Sequence, residues 1–140
     1  MSDRPDPGQI AEAIDGLSDD QLRAQLKDMG EDKILQGIFD GMQEAFVPEK
    51  AAGVTSEIQY DIKADGETKQ WTVAFDDGKC RTQQGPSGDP RLTLELDIVD
   101  FVRLVVGQVE GPQLFMTGKL RLKGDMMFAM QMQAFFDRNP

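Results

Sequence analysis

Two segments near the middle of the chain alternate apolar and polar side chains, and this pattern constrains the fold more than any other feature. The apolar side of residues 54–63 consists of Val54, Ile58, Tyr60 and Ile62. Residues 71–75 alternate in the same way, and Asp65-Gly66 between the two segments is typical of a tight hairpin turn. The alternation predicts an antiparallel sheet with one apolar face, which other parts of the chain must cover.

Segments on both sides of these strands have the periodicity of helices. Ser18 and Gln21 have the spacing of a capping box, which predicts the start of a helix. Residues 32–46 carry apolar side chains three and four positions apart, as a helix with one buried face does. Asp97 is a predicted N-cap for a third helix, which we expect to end near Gly107.

The remaining elements follow the same two periods. Alternation predicts short strands at residues 80–83, 92–96 and 119–123, and helical spacing predicts helices at residues 112–116 and 126–136. A further short helix is predicted from Ile10, Ile14 and Leu17, after a polar tail over residues 1–8. Helices therefore precede and follow the strands, and this order predicts an α+β fold, one sheet with helices gathered on one face.

The composition limits what such a domain can do. The 140 residues are 39% apolar and 29% charged, which is typical of one globular domain with a core of its own. The net charge of -10 excludes a general nucleic-acid binder, because phosphate binding requires a basic surface. The chain has no histidine, which excludes Ser-His-Asp and Cys-His catalytic pairs and metal sites with a histidine ligand. We therefore expect no catalytic residue and no metal.

Cysteine usage and the first residues bear on the compartment. Cys80 is the single cysteine, so no internal disulfide can form, and we expect its side chain to fill a small space in the core. Residues 1–8 are polar and rich in proline, unlike a secretory signal peptide. These features predict a cytoplasmic protein.

The last predicted helix is apolar on nearly every side. Its methionine and phenylalanine residues are Met126, Met127, Phe128, Met130, Met132, Phe135 and Phe136. A helix of this kind is either covered on most sides, as a core helix or a dimer contact, or opens onto a cavity. Methionine side chains are flexible and adapt to ligands of different shape, so both interpretations stay open on periodicity alone.

Residues 115–132 resemble the C-terminal signature of the sterol carrier protein 2 family. The matching positions are Gly118, Lys119, Gly124, Asp125, Met126, Ala129 and Met130. The order of strands and the strand that leads into Asp97 and Phe101 also fit, so the resemblance covers about residues 32–136. Residues 1–30 resemble the extra helices of prokaryotic stand-alone members. The resemblance thus divides the chain into an N-terminal tail with extra helices (1–30) and a lipid-binding domain (31–140).

The resemblance implies a five-stranded, mainly antiparallel sheet with an apolar tunnel between the sheet and the helices on its one covered face. Such a tunnel holds a fatty acid, a fatty acyl-CoA, a sterol-like lipid or an isoprenoid without a cofactor. The lining residues implied in this way are Phe39, Met42, Phe46, Phe101, Val105, Leu114, Phe115, Met126, Met127, Met130 and Phe135. We therefore expect a soluble lipid-binding or transfer protein that is not an enzyme and that contacts a membrane or a lipid-processing enzyme transiently.

A non-catalytic interaction module is the alternative function. The methionine-rich last helix would then dock a lipid-processing enzyme or a second copy of the chain, and the protein would be a monomer or a weak homodimer. An enzyme acting on a lipid thioester is a weaker alternative, because the sequence offers no activated nucleophile.

Three cations near the end of the chain form a candidate head-group contact. Lys119, Arg121 and Lys123 alternate with Leu120 and Leu122, so on a strand all three point to the face opposite the apolar pair. They form either a solvated face that discourages pairing at a sheet edge or a patch that meets anionic lipid head groups.

Overall fold

Five strands form one sheet in the computed structural model, which describes residue 12, residues 15–132 and residue 135. The strands are β1 (Thr55–Ala64), β2 (Glu67–Asp76), β3 (Cys80–Gln84), β4 (Leu92–Asp97) and β5 (Leu120–Gly124). Their spatial order is β3-β2-β1-β4-β5. All neighbours are antiparallel except β1 and β4, which are parallel. The predicted five-stranded, mainly antiparallel sheet is therefore confirmed.

Five α-helices lie within the described residues. They are α1 (Asp19–Met29), α2 (Glu31–Ala45), α3 (Ile98–Val105), α4 (Gly111–Met116) and α5 (Met126–Met132), and a 3-10 turn (Pro48–Ala51) follows α2. The α+β fold class is confirmed. The predicted tail over residues 1–8, the residues Ile10 and Ile14 of the predicted first helix, and residues 133, 134 and 136 of the predicted last helix lie outside the described residues.

Two of the predicted helix caps form as the sequence indicates. The Ser18 hydroxyl accepts a hydrogen bond from the Gln21 backbone N–H at 3.2 Å, and the Gln21 side chain accepts one from the Ser18 N–H at 2.9 Å. Asp97 caps α3 by accepting from the Val99 N–H at 2.9 Å, and its second oxygen accepts from Arg23 at 3.0 Å. Asp97 therefore fixes the start of α3 and ties α1 to it.

A loop over residues 85–91 crosses the polar face of the sheet and accounts for the parallel pair. The backbone oxygen of Gly85 accepts a hydrogen bond from the hydroxyl of the buried Thr72. Ser87 donates hydrogen bonds from its hydroxyl to the Glu57 side chain and from its backbone N–H to the Gln59 side chain. The loop thus carries the chain from one edge of the sheet back to the other side of β1. The loop therefore lies on the polar face, whereas the helices pack on the apolar one.

An aromatic cluster fills the space between the apolar face, α2 and α3. The ring of Phe39 on α2 stacks on Trp71 of β2, with centroids 4.6 Å apart and 11° between the planes. Its centroid lies 5.3 Å from that of Tyr60 and 5.5 Å from that of Phe101. All four side chains are buried, so the cluster joins two strands to two helices.

Gly124 is a position where any side chain would disturb the sheet. A Cβ atom there would collide with the backbone oxygen of Arg91, and the φ angle of +109° is one that residues with a side chain rarely adopt. We expect Gly124→Ala to lower the free energy of unfolding by about 2–4 kcal/mol in urea denaturation. Gly41→Ala is the matched control, because a Cβ at Gly41 meets open space within a helix. Equal stability of both variants would contradict this account.

Candidate functional site

A cavity of about 300 Å³ opens between the 3-10 turn and the C-terminal part of the chain. Its lining residues are Lys50, Val54, Gln131 and Phe135. Lys50 lies in the 3-10 turn, Val54 directly precedes β1, and Gln131 is on α5. The site thus combines an apolar wall, an ammonium group and an amide.

Phe135 connects the cavity to the aromatic core. The Phe135 side chain is buried, and its ring lies edge to face against Phe75 with centroids 5.3 Å apart and against Phe128 with centroids 6.0 Å apart. Its backbone oxygen accepts a hydrogen bond from the Val47 N–H at 2.7 Å, which ties this residue to the segment after α2. The cavity therefore lies directly outside the covered face of the sheet, at the end where β1 begins.

Arg91 and Asp125 fix the start of α5, the helix that carries Gln131 of the cavity. The Arg91 guanidinium lies 4.2 Å from the centroid of the Phe128 ring and donates to Asp125 Oδ2 at 3.0 Å from Nε. The other Asp125 oxygen accepts from the Phe128 backbone N–H at 3.0 Å. These two hydrogen bonds, the backbone one first, lower the pKa of Asp125. The same residues thereby hold Phe128 in the core and orient α5.

Seven of the eleven predicted lining residues lie in or against the core. Phe39, Phe101, Leu114 and Phe135 are buried, and Met42, Phe46 and Val105 are half-buried and pack on the buried cluster. The structure therefore brings these seven to the covered face of the sheet.

The other four predicted lining residues are exposed on α4 and α5. Phe115 and Met126 are partly exposed, whereas Met127 and Met130 have exposed fractions of 76% and 77%. Met116, next to Phe115, is 84% exposed. We refer to these five exposed residues of α4 and α5, Phe115, Met116, Met126, Met127 and Met130, as the exposed methionine surface.

The three predicted head-group cations are not among the residues that line the cavity. Arg121 on β5 extends along the polar face of the sheet, where its guanidinium lies 3.9 Å from Glu95. Lys123 is two residues further along the same strand and is also exposed. Lys119 directly precedes β5. Burial raises the pKa of Asp100 on α3, and the positive charge of Lys119 partly opposes this shift.

Sequence reasoning missed Lys50 and Gln131 as cavity residues. The alternation places Val54 on the apolar side of the first strand, but Lys50 is one of several lysines and lies two residues after Pro48 in a connection of no recognisable motif. Gln131 lies on the last helix among apolar side chains, where a glutamine is an ordinary polar position. The only signal for either residue is its place at the junction of two elements.

Within the residues that the structure describes, we find no support for a cysteine nucleophile or a metal site. Cys80 is half-buried, and burial raises the pKa of its thiol to about 11, so it is not an activated nucleophile. No group of three or more acidic, cysteine or histidine side chains converges in the described part of the chain as a metal site would require. None of the described helices is long and apolar enough to cross a membrane.

Comparison with known proteins identifies the family. Residues 35–137 match the SCP-2 sterol transfer family, and the chain belongs to this family. It is 30% identical over 100 residues to a hydroxysteroid dehydrogenase-like protein 2 of Xenopus tropicalis, covering 71% of this chain but 24% of that protein. It is 33% identical over 101 residues to a fatty acid-binding protein of Yarrowia lipolytica, covering 70% of this chain and 78% of that protein. Membership in this family supports lipid binding.

Solved structures share the fold. Sterol carrier protein 2 of Aedes aegypti, in complex with palmitate, matches with a TM-score of 0.58 at 13% identity, covering 74% of this chain and 94% of that one. The sec-alkylsulfatase Pisa1 of Pseudomonas sp. matches with a TM-score of 0.64 at 15% identity, but the chain spans only 16% of it. The fold therefore occurs both as a separate protein and as part of much longer chains.

The lowered pKa of Asp125 predicts a pH dependence of stability. Because the folded pKa lies below the unfolded value of about 4, the charged carboxylate stabilises the fold fully above that value. This stabilisation is lost as the pH falls through the lower folded pKa. We expect Asp125→Asn to lower the melting temperature at pH 7. Near pH 2 the melting temperatures of the variant and the wild type should lie closer together. A constant difference between the two proteins across this range would contradict the assignment.

Proposed function

We propose that the chain binds a long-chain fatty acyl lipid between the covered face of the sheet and the helices, with the acyl chain entering at the cavity. The single observation that carries this proposal is the position of that cavity. It joins the buried Phe135 to the ammonium group of Lys50, which is the pairing of an apolar wall with a cation that a fatty acid needs. The palmitate complex of the Aedes aegypti protein with the same fold supports it.

Burial of methylene groups supplies the binding free energy. Each methylene transferred from water contributes about 0.8 kcal/mol, so a chain of sixteen carbons gains roughly 12 kcal/mol before ordering and association costs. A micromolar dissociation constant requires about 8 kcal/mol. The proposed activity needs no catalytic step, cofactor or metal.

The acyl chain must displace side chains to enter fully. The cavity volume of about 300 Å³ is at the lower end of the range for ligand pockets, and the aromatic cluster beyond it is closely packed. We propose that the chain extends from Phe135 along the covered face toward Phe39 and Phe101, with Met42, Phe46, Val105 and Leu114 beside it. These residues would then form the tunnel that the family resemblance implies. A sterol-like or isoprenoid ligand would occupy the same space.

The exposed methionine surface is proposed to contact the membrane from which the lipid is taken. Met127 and Met130 lie on the helix that also carries Gln131 of the cavity, so a membrane that meets this helix is next to the entrance. Lys119, Arg121 and Lys123 would add attraction to anionic head groups at the edge of the sheet. Such transient contact, in the cytoplasm, fits a carrier that collects and delivers lipid.

A homodimer, or docking to a lipid-processing enzyme, is the second candidate function. It is favoured by one observation, the exposure of Met127 and Met130, since apolar side chains at this level of exposure are typical of interaction sites when they form a contiguous patch. Native mass spectrometry separates the two candidates. A monomer with bound lipid supports the carrier, and a lipid-free dimer supports the interaction module.

Lys50 is expected to bind the carboxylate of a fatty acid. In a fluorescent displacement assay we expect palmitate to bind in a one-to-one complex, with a dissociation constant below about 100 µM. Lys50→Gln should weaken binding by about five- to tenfold, because it removes a charge-assisted contact and retains a polar side chain. Lys33→Gln, which changes an exposed lysine on α2, is the matched control and should bind as the wild type does.

The same assay separates Lys50 from the edge cations. A variant with Gln at positions 119, 121 and 123 should retain the wild-type affinity for free palmitate. If this variant loses affinity while Lys50→Gln does not, the head group lies at the sheet edge rather than at the cavity. If no acyl chain binds at all, the proposed function is wrong.

Transfer from vesicles tests the exposed methionine surface. We expect replacement of Met127 and Met130 by Gln to slow uptake of palmitate from vesicles by more than about threefold, because exposed apolar side chains contribute by entering the interface. Affinity for free palmitate and the melting temperature should change little, since neither side chain is buried. Unfolding of this variant, or equal uptake rates, would show that the two residues have another role.

A further inference from the structure

We infer that the bound lipid carries an oxygen acceptor in its distal part, which accepts a hydrogen bond from the indole N–H of Trp71. This inference rests on the proposed function and names the class of ligand within it. The relevant ligands are long-chain acids with a carbonyl or ether oxygen far from the carboxylate, rather than plain hydrocarbon chains.

The indole N–H of Trp71 is buried without an acceptor. The side chain is 2% exposed, and no hydrogen-bond partner reaches Nε1. A buried donor without a partner destabilises a protein by about as much as a lost hydrogen bond, so native structures rarely retain one. A phenylalanine could stack on Phe39 equally well without this cost. The tryptophan is therefore explained if a bound molecule completes its hydrogen bonding.

The position of Trp71 fits the buried end of a lipid. Trp71 is opposite Tyr60 in the sheet register, and Tyr60 is five residues along β1 from Thr55, the neighbour of Val54 in the cavity. At the rise of a strand this separation is roughly 17 Å. The ring of Trp71 stacks on Phe39, one of the residues along the proposed path. A lipid with its carboxylate at Lys50 would thus bring its distal atoms to the indole.

Helix α1 packs over the far end of this proposed path. Leu22 and Leu26 of α1 are buried in the same core, and Lys27 on α1 contacts Asp65 in the turn between β1 and β2 at 3.2 Å. With α1 at this end, the proposed route for an oxygen that reaches Trp71 is from the cavity side. A carbonyl or ether oxygen suits the site best, because it accepts a hydrogen bond without adding a donor of its own.

Two keto acids of the same composition, which differ only in the position of the ketone, test the inference. One is palmitate with a ketone on the penultimate carbon, and the other is palmitate with a ketone near the carboxylate. In the wild type we expect the first to bind about fivefold more tightly than the second, the factor that one net hydrogen bond contributes. In Trp71→Phe, which retains the ring that stacks on Phe39, the two should bind equally.

The fluorescence of Trp71 supplies a readout in the wild-type protein, without the Trp71→Phe variant. Trp71 is the single tryptophan of the chain, so its emission maximum reports directly on the indole. The distal ketone should shift the maximum to longer wavelength, and palmitate or the proximal ketone should not. Binding of palmitate with equal affinities for both keto acids in the wild type, or a preference that persists in Trp71→Phe, overturns the inference alone. Absence of palmitate binding overturns the proposed function as well.

Discussion

The apolar face of the sheet must be covered on one side, and the described helices are arranged by that requirement. Strand alternation places Ile58, Tyr60 and Ile62 on the same face as Trp71 and Phe75, and water is excluded from this face only if helices pack on it. Phe39 of α2 supplies the central contact because it meets rings from two strands and from α3. The polar face needs no such cover, and a loop crosses it instead.

This one-sided cover also bears on where the proposed lipid would enter. At one end of the sheet α1 is attached by the ion pairs of Arg23 with Asp97 and of Lys27 with Asp65. At the other end the cover is completed by the 3-10 turn and by α5, two short elements that meet around a cavity. Arg91 and Asp125 fix the start of α5. Met126, Met127 and Met130 on the same helix are exposed to solvent. Entry of a lipid at the cavity is therefore consistent with a stable fold.

Much of the fold could be predicted from the sequence, because each signal is local. Alternation over 54–63, the capping box at Ser18 and the N-cap Asp97 depend only on neighbours in the chain, and all three appear in the structure. The parallel pairing of β1 with β4 depends on the path of residues 85–91 across the sheet, which no local period encodes. Exposure of Met127 and Met130, and the placement of Lys50 at the cavity, depend likewise on how distant elements meet. The family signature implied the apolar site, but it could not distinguish which side of the last helix faces solvent.

The proposed carrier function requires a lipid to occupy the space between the covered face of the sheet and the helices. The most direct test is to measure, by nuclear magnetic resonance, contacts between palmitate labelled with carbon-13 and the protein's side chains. We expect contacts from the labelled chain to Val54, Phe135 and the aromatic cluster around Phe39, and none to the polar face at Asp61 or Glu95. Contacts confined to the exposed methionines, with the aromatic cluster unchanged, would contradict it.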